Sequence, residues 1–398
     1  MKSAIYIRLS ALLLIAAVAS LLAFSCVEMP DPRGNLPDKG GVIPVQGDTG
    51  PNPPHYAAFI ATTDFALTGG YGVIDINTLA VYSPDPITAS EIVSPDPVAK
   101  TNGDYVYVIN RFTYDNISVL TKRFDLVRQY SVKSKDCSPA NPHDMEFAGD
   151  TVAYLSRYEC RDLWKINPVT GQKLGSIDLT SAGYGGVDGI PEMSGMLLLG
   201  DTLYVAVQMM DRRTWRPEGP GVVVMVDTVT DTVVGDITLT GKNPVTDLQY
   251  SPDLDRILVA TAGSYNSIGD GGIESIDYHA GVSEGYLIDE TSLAGNVGDF
   301  EVASAIRGYA TVTTSGLDSI LVGFDPVAGT RDGTPIYSAK SGFALWDIGL
   351  ADNGDLYICD RNATRPGVII VDTLSADAVI TPEPIDLGFP PFSIVFLK

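Results

Sequence analysis

The chain has 398 residues, of which 45% are hydrophobic and 19% are charged, and it contains 40 Gly and 26 Pro. This composition excludes a disordered chain or a helical bundle and favours a sheet-rich globular protein with many turns. The net charge of −23 argues against nucleic acid as a partner, because an acidic surface repels phosphate groups.

The N-terminus has the features of a secretory signal. Lys2 and Arg8 form a short basic region, and an uncharged, mainly apolar run follows from Leu9 to Phe24. This run is shorter than a typical membrane-spanning helix, so we interpret residues 1–25 as a cleaved signal peptide. Cleavage removes two positive charges and no negative ones, which leaves a mature net charge of −25.

The signal ends in a small residue followed by a cysteine, Ser25-Cys26. This ending resembles the lipobox of bacterial lipoproteins, in which the cysteine becomes the first mature residue and its sulfur carries diacylglycerol. The resemblance implies that Cys26 is lipidated and anchors the chain in the cell envelope. Val27 in place of Asp implies the outer membrane, on its periplasmic or outer side. The alternative is an ordinary signal peptide that happens to end before a cysteine.

Residues 26–55 have the composition of a tether. The segment 27–54 contains seven Pro and five Gly and has no periodic apolar face. Such a segment forms an extended linker, which would hold the following domain away from the membrane.

From residue 56 to residue 398 the sequence consists of short β-rich runs separated by Gly, Asp, Asn and Pro. The runs repeat as a four-strand unit, whose most regular part is an apolar strand that ends in Asp or Asn before a turn. Six copies of this strand end are clear: Ile74-Asp75, Ile166-Asn167, Val226-Asp227, Ile288-Asp289, Phe324-Asp325 and Val371-Asp372. The segment Arg123-Phe-Asp-Leu-Val is a weaker seventh copy.

These repeats resemble the YVTN-type, lactonase-like β-propellers over roughly residues 56–398. The resemblance implies an all-β fold, a seven-bladed β-propeller with four-stranded blades. The C-terminal segment 388–398 parallels the inner strand in 342–350, and the N-terminal blade lacks a first strand. The C-terminal strand is therefore predicted to join the N-terminal blade and close the ring, which protects its sheet edges.

The connectivity of a propeller brings the loops after each second strand and the loops entering each inner strand to one face, called here the upper face. The long insertions 208–221, 263–285 and 360–367 are predicted to lie there. Aromatic and arginine side chains are frequent interface anchors, so these loops predict a site for a protein, glycan or small-molecule ligand. The candidate ligand-binding residues are Arg157, Tyr158, Arg212, Arg213, Trp215, Tyr265 and Tyr278.

The remaining cysteines divide into a pair and a single thiol. Cys137 and Cys160 lie 23 residues apart at the upper end of one blade, and an exported protein can keep a disulfide between them. Cys359 is then expected to be a buried free thiol.

Aligned inner strands place acidic residues at matching positions near the channel. Carboxylates that converge there would repel one another unless they are protonated or bridged by a cation, and oxygen ligands favour Ca²⁺. We therefore consider a Ca²⁺ site, with the alternative that the carboxylates form hydrogen bonds to the backbone of neighbouring blades. The candidate metal ligands are Asp144, Asp247, Asp299 and Asp347, and Asp96 is aligned with them.

Two functions remain open from the sequence. The first is a membrane-anchored extracytoplasmic binding module that uses the upper-face loops. The alternative is a lactonase-like hydrolase with a metal ion in the central channel, for which His143 is the only histidine predicted near the channel. We find no nucleophile elbow and no paired-histidine metal motif, so the sequence favours binding over catalysis.

Overall fold

The described part of the chain comprises residues 56–83, 86–264, 267–340 and 342–398 of a computed structural model. It forms seven antiparallel sheets that follow one another around a ring, which is the predicted seven-bladed β-propeller. Within these residues, no helix is both long and apolar enough to cross a membrane.

The first four blades contain the following strands. Blade one has β1 (Ala57–Thr63), β2 (Gly69–Asp75) and β3 (Val81–Tyr82). Blade two has β4 (Pro97–Thr101), β5 (Tyr105–Asn110), β6 (Asn116–Thr121) and β7 (Leu126–Ser131). Blade three has β8 (Pro142–Gly149), β9 (Val152–Arg157), β10 (Asp162–Ile166) and β11 (Lys173–Asp178). Blade four has β12 (Met193–Leu199), β13 (Thr202–Val207), the loop hairpin β14 (Met210–Asp211) and β15 (Arg216–Pro217), β16 (Val222–Asp227) and β17 (Thr232–Thr238).

The last three blades and the helices complete the chain. Blade five has β18 (Gln249–Ser251), β19 (Arg256–Thr261), β20 (Gly272–Asp277) and β21 (Val282–Asp289). Blade six has β22 (Gly295–Ser304), β23 (Arg307–Thr314), β24 (Ser319–Asp325) and a divided outer strand, β25 (Thr330–Arg331) and β26 (Tyr337–Ser338). Blade seven has β27 (Leu345–Leu350), β28 (Asp355–Asp360), β29 (Gly367–Asp372) and β30 (Ala378–Val379), and β31 (Pro391–Leu397) ends the chain. Helices α1 (Pro86–Ile92) and α2 (Glu290–Leu293) and a 3₁₀ turn (Thr180–Ala182) lie between blades.

The hydrophobic core of the described residues is divided among the seven interfaces between neighbouring blades. In β1, Phe59 packs toward blade two, whereas Ile60 packs toward blade seven, and both side chains are fully buried. The inner and second strands are therefore apolar on both faces, which explains their runs of Val, Ile, Leu and aromatic residues. Each blade stabilises its two neighbours and depends on them.

The third strand of six blades ends in the predicted turn. The side-chain Oδ1 of the Asp or Asn accepts hydrogen bonds from the backbone N–H groups two and three residues later, which replaces the strand pairing that ends there. The six residues are Asp75, Asn167, Asp227, Asp277, Asp325 and Asp372. In blade two the hydroxyl of Thr121 has this role and accepts from the N–H of Arg123 at 3.1 Å.

One of the six predicted turns was wrong. Blade five turns at Asp277, and Asp289 instead caps helix α2 by accepting a hydrogen bond from the N–H of Ser292 at 2.7 Å. The predicted insertion 263–285 therefore contains the third strand, β20. Tyr278 follows that strand and lies on the lower face, the face opposite the upper one, which corrects its predicted place among the upper-face loops.

The C-terminal strand closes the ring as predicted. β31 pairs antiparallel with β1 from Ala57↔Leu397 to Thr62↔Pro391 and is the innermost strand of blade one. It also links blade one to both neighbours. The hydroxyl of Ser393 accepts a hydrogen bond from the N–H of Ala99 in blade two, and Asp347 of blade seven accepts one from the N–H of Ile394.

We expect deletion of residues 389–398 to abolish the cooperative unfolding transition. The deletion removes four large apolar side chains that are buried or half-buried at the closure, Phe392, Ile394, Phe396 and Leu397. At about 1.5–3 kcal/mol each, their loss is comparable to the roughly 5–15 kcal/mol stability of a typical domain. Calorimetry or circular dichroism measures the transition, and deletion of the exposed Lys398 alone is the control. An unchanged melt after the longer deletion would contradict this account of the closure.

Candidate functional site

The upper ends of the inner strands carry aspartates at backbone irregularities. The pairing of inner and second strands shifts register near Asp144, Asp299 and Asp347, and it shifts similarly in blades one and four. A β-bulge inserts one unpaired residue and re-aims its side chain. Here the re-aimed carboxyl groups reach the next blade rather than pointing only into the channel.

Each of these three aspartates accepts a backbone hydrogen bond from the following blade. Asp144 Oδ2 accepts from the N–H of Met196 at 2.6 Å, and Asp299 Oδ2 accepts from the N–H of Ile348 at 3.0 Å. Asp347 Oδ2 accepts from the N–H of Ile394 at 2.7 Å. Hydrogen bonds from these carboxylates to the backbone of neighbouring blades were the predicted alternative to a Ca²⁺ site.

A single lysine joins blades across the channel. Lys100 Nζ on the inner strand of blade two lies 2.6 Å from Asp144 Oδ1 and 2.6 Å from Asp247 Oδ2. Asp144 and Asp247 belong to blades three and five, so the ammonium group connects three inner strands. Although burial disfavours its charge, these carboxylates raise the pKa of Lys100 well above its usual value.

The remaining channel carboxyl groups are held partly in the protonated form. Burial raises the pKa of both Asp299 and Asp347, which form a hydrogen bond to each other. The charge of Asp347 raises the pKa of Asp299 further, whereas the hydrogen bond with Asp299 partly offsets the effect of burial on Asp347. Burial and the nearby Asp347 raise the pKa of Glu301 to about 8. Burial and Asp144 likewise raise the pKa of Glu146. Protonation thus relieves the repulsion that the sequence pattern anticipated.

The four predicted Ca²⁺ ligands are therefore already engaged. Asp144 and Asp247 share Lys100, whereas Asp299 and Asp347 bond to each other and to backbone. Within the described residues, no group of three or more His, Cys, Asp or Glu side chains is placed to hold a metal ion. The predicted alignment of Asp96 is wrong by two residues, because Ala99 donates to Ser393 and Val98 thus occupies the matching position. The Ca²⁺ site remains a prediction without support from this geometry.

A different group of side chains surrounds the channel mouth on the upper face. We call it the mouth patch, and it brings together exposed aromatic rings and two guanidinium groups. Its members come from the loops after second strands and from the starts of inner strands: Phe65, Arg111, Phe343, Trp346, Arg361 and Phe392.

Arg361 is the centre of the mouth patch. Its Cζ lies 3.9 Å from the ring centroid of Trp346 and 5.3 Å from the centroids of both Phe65 and Phe392. Such contacts are attractive because the aromatic faces carry partial negative charge. Burial, together with the neighbouring guanidinium of Arg111, lowers the pKa of Arg361 to about 10, so it remains charged at neutral pH.

His143 lies close enough to Arg111 of this patch to be affected by its charge. Its ring stacks on the ring of Tyr158 with the centroids 4.5 Å apart. Burial and the positive charge of Arg111 lower the pKa of His143 well below its usual value, so the imidazole is neutral. The Tyr158 hydroxyl donates to Gln208 Oε1 at 2.8 Å. The pair forms a fixed wall of the mouth.

The predicted disulfide links Cys137 and Cys160, whose Cα atoms are 5.7 Å apart, and Cys359 is a buried free thiol as predicted. Next to this disulfide, Arg157 is fully buried, forms an ion pair with Asp162 and stacks on Trp164 at 3.9 Å. The structure therefore gives Arg157 internal partners instead of an upper-face position open to a ligand.

The loop of blade four holds three of the predicted ligand residues. Arg212 forms ion pairs with the carboxylates of Glu159 and Glu192, whereas Arg213 is exposed and pairs with Asp211 in its own loop. Trp215 is 41% exposed on the upper face. The seventh predicted residue, Tyr265, lies outside the described residues.

The mouth patch was missed in the sequence, although one signal for it was present. The parallel between segments 342–350 and 388–398 places Trp346 opposite Phe392 and Asp347 opposite Ser393. Equivalent residues of neighbouring inner strands meet at the channel mouth, and the two rings lie 5.6 Å apart. Arg361 lies in the predicted insertion 360–367, but nothing local distinguishes it from Arg365.

The ring of blades and its channel define a seven-bladed β-propeller. No protein-family profile matches the chain, and no curated protein sequence matches it. Among solved structures, a putative 6-phosphogluconolactonase from Bacteroides fragilis has a TM-score of 0.60 at 15% identity, covering 89% of this chain and 100% of that chain.

A protein from Lactobacillus plantarum is similar, with a TM-score of 0.59 at 13% identity over 86% of this chain and 99% of that chain. Virginiamycin B lyase from Staphylococcus aureus has a TM-score of 0.52 at 12% identity over 76% of this chain and 92% of that chain. At such identities the similarity shows the fold alone, because one propeller fold serves many functions.

We expect the protein to be more stable at pH 5 than at pH 8.5. The channel carboxyl groups with raised pKa values bind more protons in the folded than in the unfolded state, so stability falls as the pH rises from about 4 to about 8. Glu301→Gln removes one such group. It should raise the melting temperature at pH 8.5 by roughly 1–2 °C, or about 1 kcal/mol, and change it little at pH 5.

The variant Glu284→Gln provides the opposite case. The guanidinium of Arg256 holds the pKa of Glu284 below its usual value, so this substitution should not stabilise the protein at pH 8.5. Thermal melts of all three proteins across this pH range give the comparison. Equal effects of Glu301→Gln at both pH values would contradict the assignment of a raised pKa to Glu301.

Proposed function

We propose that the chain is an extracytoplasmic binding module whose ligand site is the mouth patch. The observation that carries this proposal is the contact of two exposed aromatic rings with Arg361 at one end of the channel. Phe65 is 49% exposed and Trp346 is 40% exposed, and Phe343, whose carbonyl oxygen accepts a hydrogen bond from Arg361, is 38% exposed. Exposed aromatic and arginine side chains on a rigid scaffold are typical of binding surfaces.

The rigidity of the scaffold supports recognition by a preformed site. Arg361 and the three rings around it stand on blades one and seven, which the closure strand β31 joins. A preformed surface loses little conformational entropy when a ligand binds, which favours affinity.

A lactonase-like hydrolase is the second candidate, and the neutral His143 at the mouth is the observation that favours it. A neutral imidazole can accept a proton in general-base catalysis. However, its ring is stacked against Tyr158, and the carboxylates proposed to hold a metal already have other partners. The binding function therefore has the stronger support.

The proposal includes a lipid anchor at Cys26 and a tether over residues 26–55, both outside the described residues. An anchor of this kind would keep the propeller at the envelope membrane, where the tether sets its reach.

We expect Trp346→Ala to abolish the binding of a ligand found by a thermal-shift screen of glycans, peptides and small molecules on the full chain. A ligand that binds the folded state raises its melting temperature by an amount that grows with the logarithm of ligand concentration divided by Kd. Loss of an aromatic anchor weakens binding by at least about tenfold and so reduces this shift. Tyr250→Ala on the lower face is the control, since Tyr250 is also an exposed aromatic residue.

The variant Trp215→Ala tests the loop of blade four, because Trp215 is 41% exposed on the same face. Loss of the thermal shift in this variant, but not in Trp346→Ala, would move the site to that loop and contradict the proposal.

We expect Cys26→Ser to move the protein from the membrane fraction into the soluble fraction, because Ser provides no thiol for the lipid. The acyl chains of a lipidated cysteine contribute about 0.8 kcal/mol per buried methylene, enough to hold a soluble domain at a bilayer. Fractionation and mass spectrometry of the N-terminal peptide measure the change, with Cys359→Ser as the control. A Cys26→Ser protein that stays in the membrane fraction would refute lipid anchoring.

A further inference from the structure

Arg361 of the mouth patch carries a positive charge and forms no ion pair among the described residues. Arg111 Nη2 lies 2.5 Å from Asp96 Oδ1, which forms an ion pair. Arg361 has no carboxylate partner among the described residues, and its Nη2 donates to the carbonyl oxygen of Phe343 at 2.8 Å. Asp96, the partner of Arg111, also favours the charged form of Arg361, and His143 beside the patch is neutral.

Both arginines also have unused hydrogen-bond donors. The Nε atoms of Arg111 and Arg361 are buried and have no acceptor among the described residues. A buried donor without an acceptor lowers the stability of the folded state, and a charge without a counter-ion lowers it further. A site with these two properties is completed by an anion that accepts hydrogen bonds.

The side chains around Arg361 favour a ligand whose remaining part, beyond the anionic group, is apolar. The rings of Trp346 and Phe65 lie on the guanidinium of Arg361 and are partly exposed. These apolar surfaces would be covered by an aromatic ring or an acyl chain but not by a small hydrated ion.

We infer that the mouth patch binds a small monocarboxylate with an aromatic or other apolar body, its carboxylate on Arg361. This inference rests on the proposed function and adds the chemical class of the ligand. The planar guanidinium of Arg361 fits a carboxylate with two parallel hydrogen bonds. A phosphate ion would leave the aromatic surfaces of Phe65 and Trp346 uncovered.

The negative charge of the whole protein affects the rate at which the carboxylate ligand associates with the mouth patch. The net charge of −23 repels an anion at long range, so electrostatic steering cannot accelerate its approach. The binding energy must come from contacts at the mouth. Added salt should therefore screen the repulsion and leave the association rate unchanged or faster.

The test is isothermal titration calorimetry of the full chain at fixed ionic strength with three carboxylates and their neutral amides. The probes are benzoate, phenylacetate and hexanoate, each paired with its amide, together with acetate and inorganic phosphate. We expect at least one carboxylate with an apolar body to bind tenfold or more tightly than its amide, and more tightly than acetate or phosphate.

Arg361→Gln should remove the preference for the carboxylate over the amide, and Arg361→Lys should reduce it, since Lys keeps the charge but lacks the planar fork. Arg365→Gln is the matched control, because Arg365 lies in the same loop and forms an exposed ion pair with Glu383. Fluorescence of Trp346 in the wild type, with Trp346→Phe as reference, reports binding even if the Gln variant does not fold.

Three outcomes overturn the inference. They are equal binding of carboxylates and amides, a preference that survives in Arg361→Gln, and no binding by any of the three carboxylates. If carboxylates fail but a neutral ligand from the screen binds and is lost in Trp346→Ala, the inference fails and the proposed function stands. If Trp346→Ala affects no ligand at all, both fail.

Discussion

Because the faces of every sheet are covered by neighbouring blades, the ring is stable only when the last blade meets the first, and the pairing of β31 with β1 makes that contact. Without it, β1 would lose its inner partner, and the apolar faces of blades one and seven would be exposed. The mouth patch depends on the same contact, since Phe392 belongs to β31 and Trp346 to the neighbouring inner strand. The stability of the ring and the geometry of the mouth patch thus both depend on the pairing of β31 with β1.

The second constraint is the density of carboxyl groups in the channel. A buried carboxylate is tolerated when it receives hydrogen bonds, a counter-charge or a proton. The structure uses all three means: backbone N–H groups of the next blade, the ammonium group of Lys100, and the protons bound by Glu301 and by the pair Asp299 and Asp347. The same hydrogen bonds hold neighbouring blades in register, so the acidic residues contribute to assembly of the ring.

The fold could be predicted because its signals are local. Each third strand ends in a side chain that caps its own turn, so the repeat is visible without any tertiary contact. The same locality caused the error in blade five, where Asp277 and Asp289 both cap backbone N–H groups a few residues later, one in a turn and one at a helix. The mouth patch brings together Phe65, Trp346 and Arg361 from three segments, and only closure of the ring makes them neighbours.

The ion pairs of Lys100 affect how a solute can pass through the central channel. The side chain extends from blade two to Asp247 of blade five, on a distant part of the ring, and its ammonium group is fixed there by two carboxylates. A solute that enters from the upper opening meets this bridge below the mouth. To pass along the channel past this point, the solute would have to displace the ion pairs of Lys100 with Asp144 and Asp247.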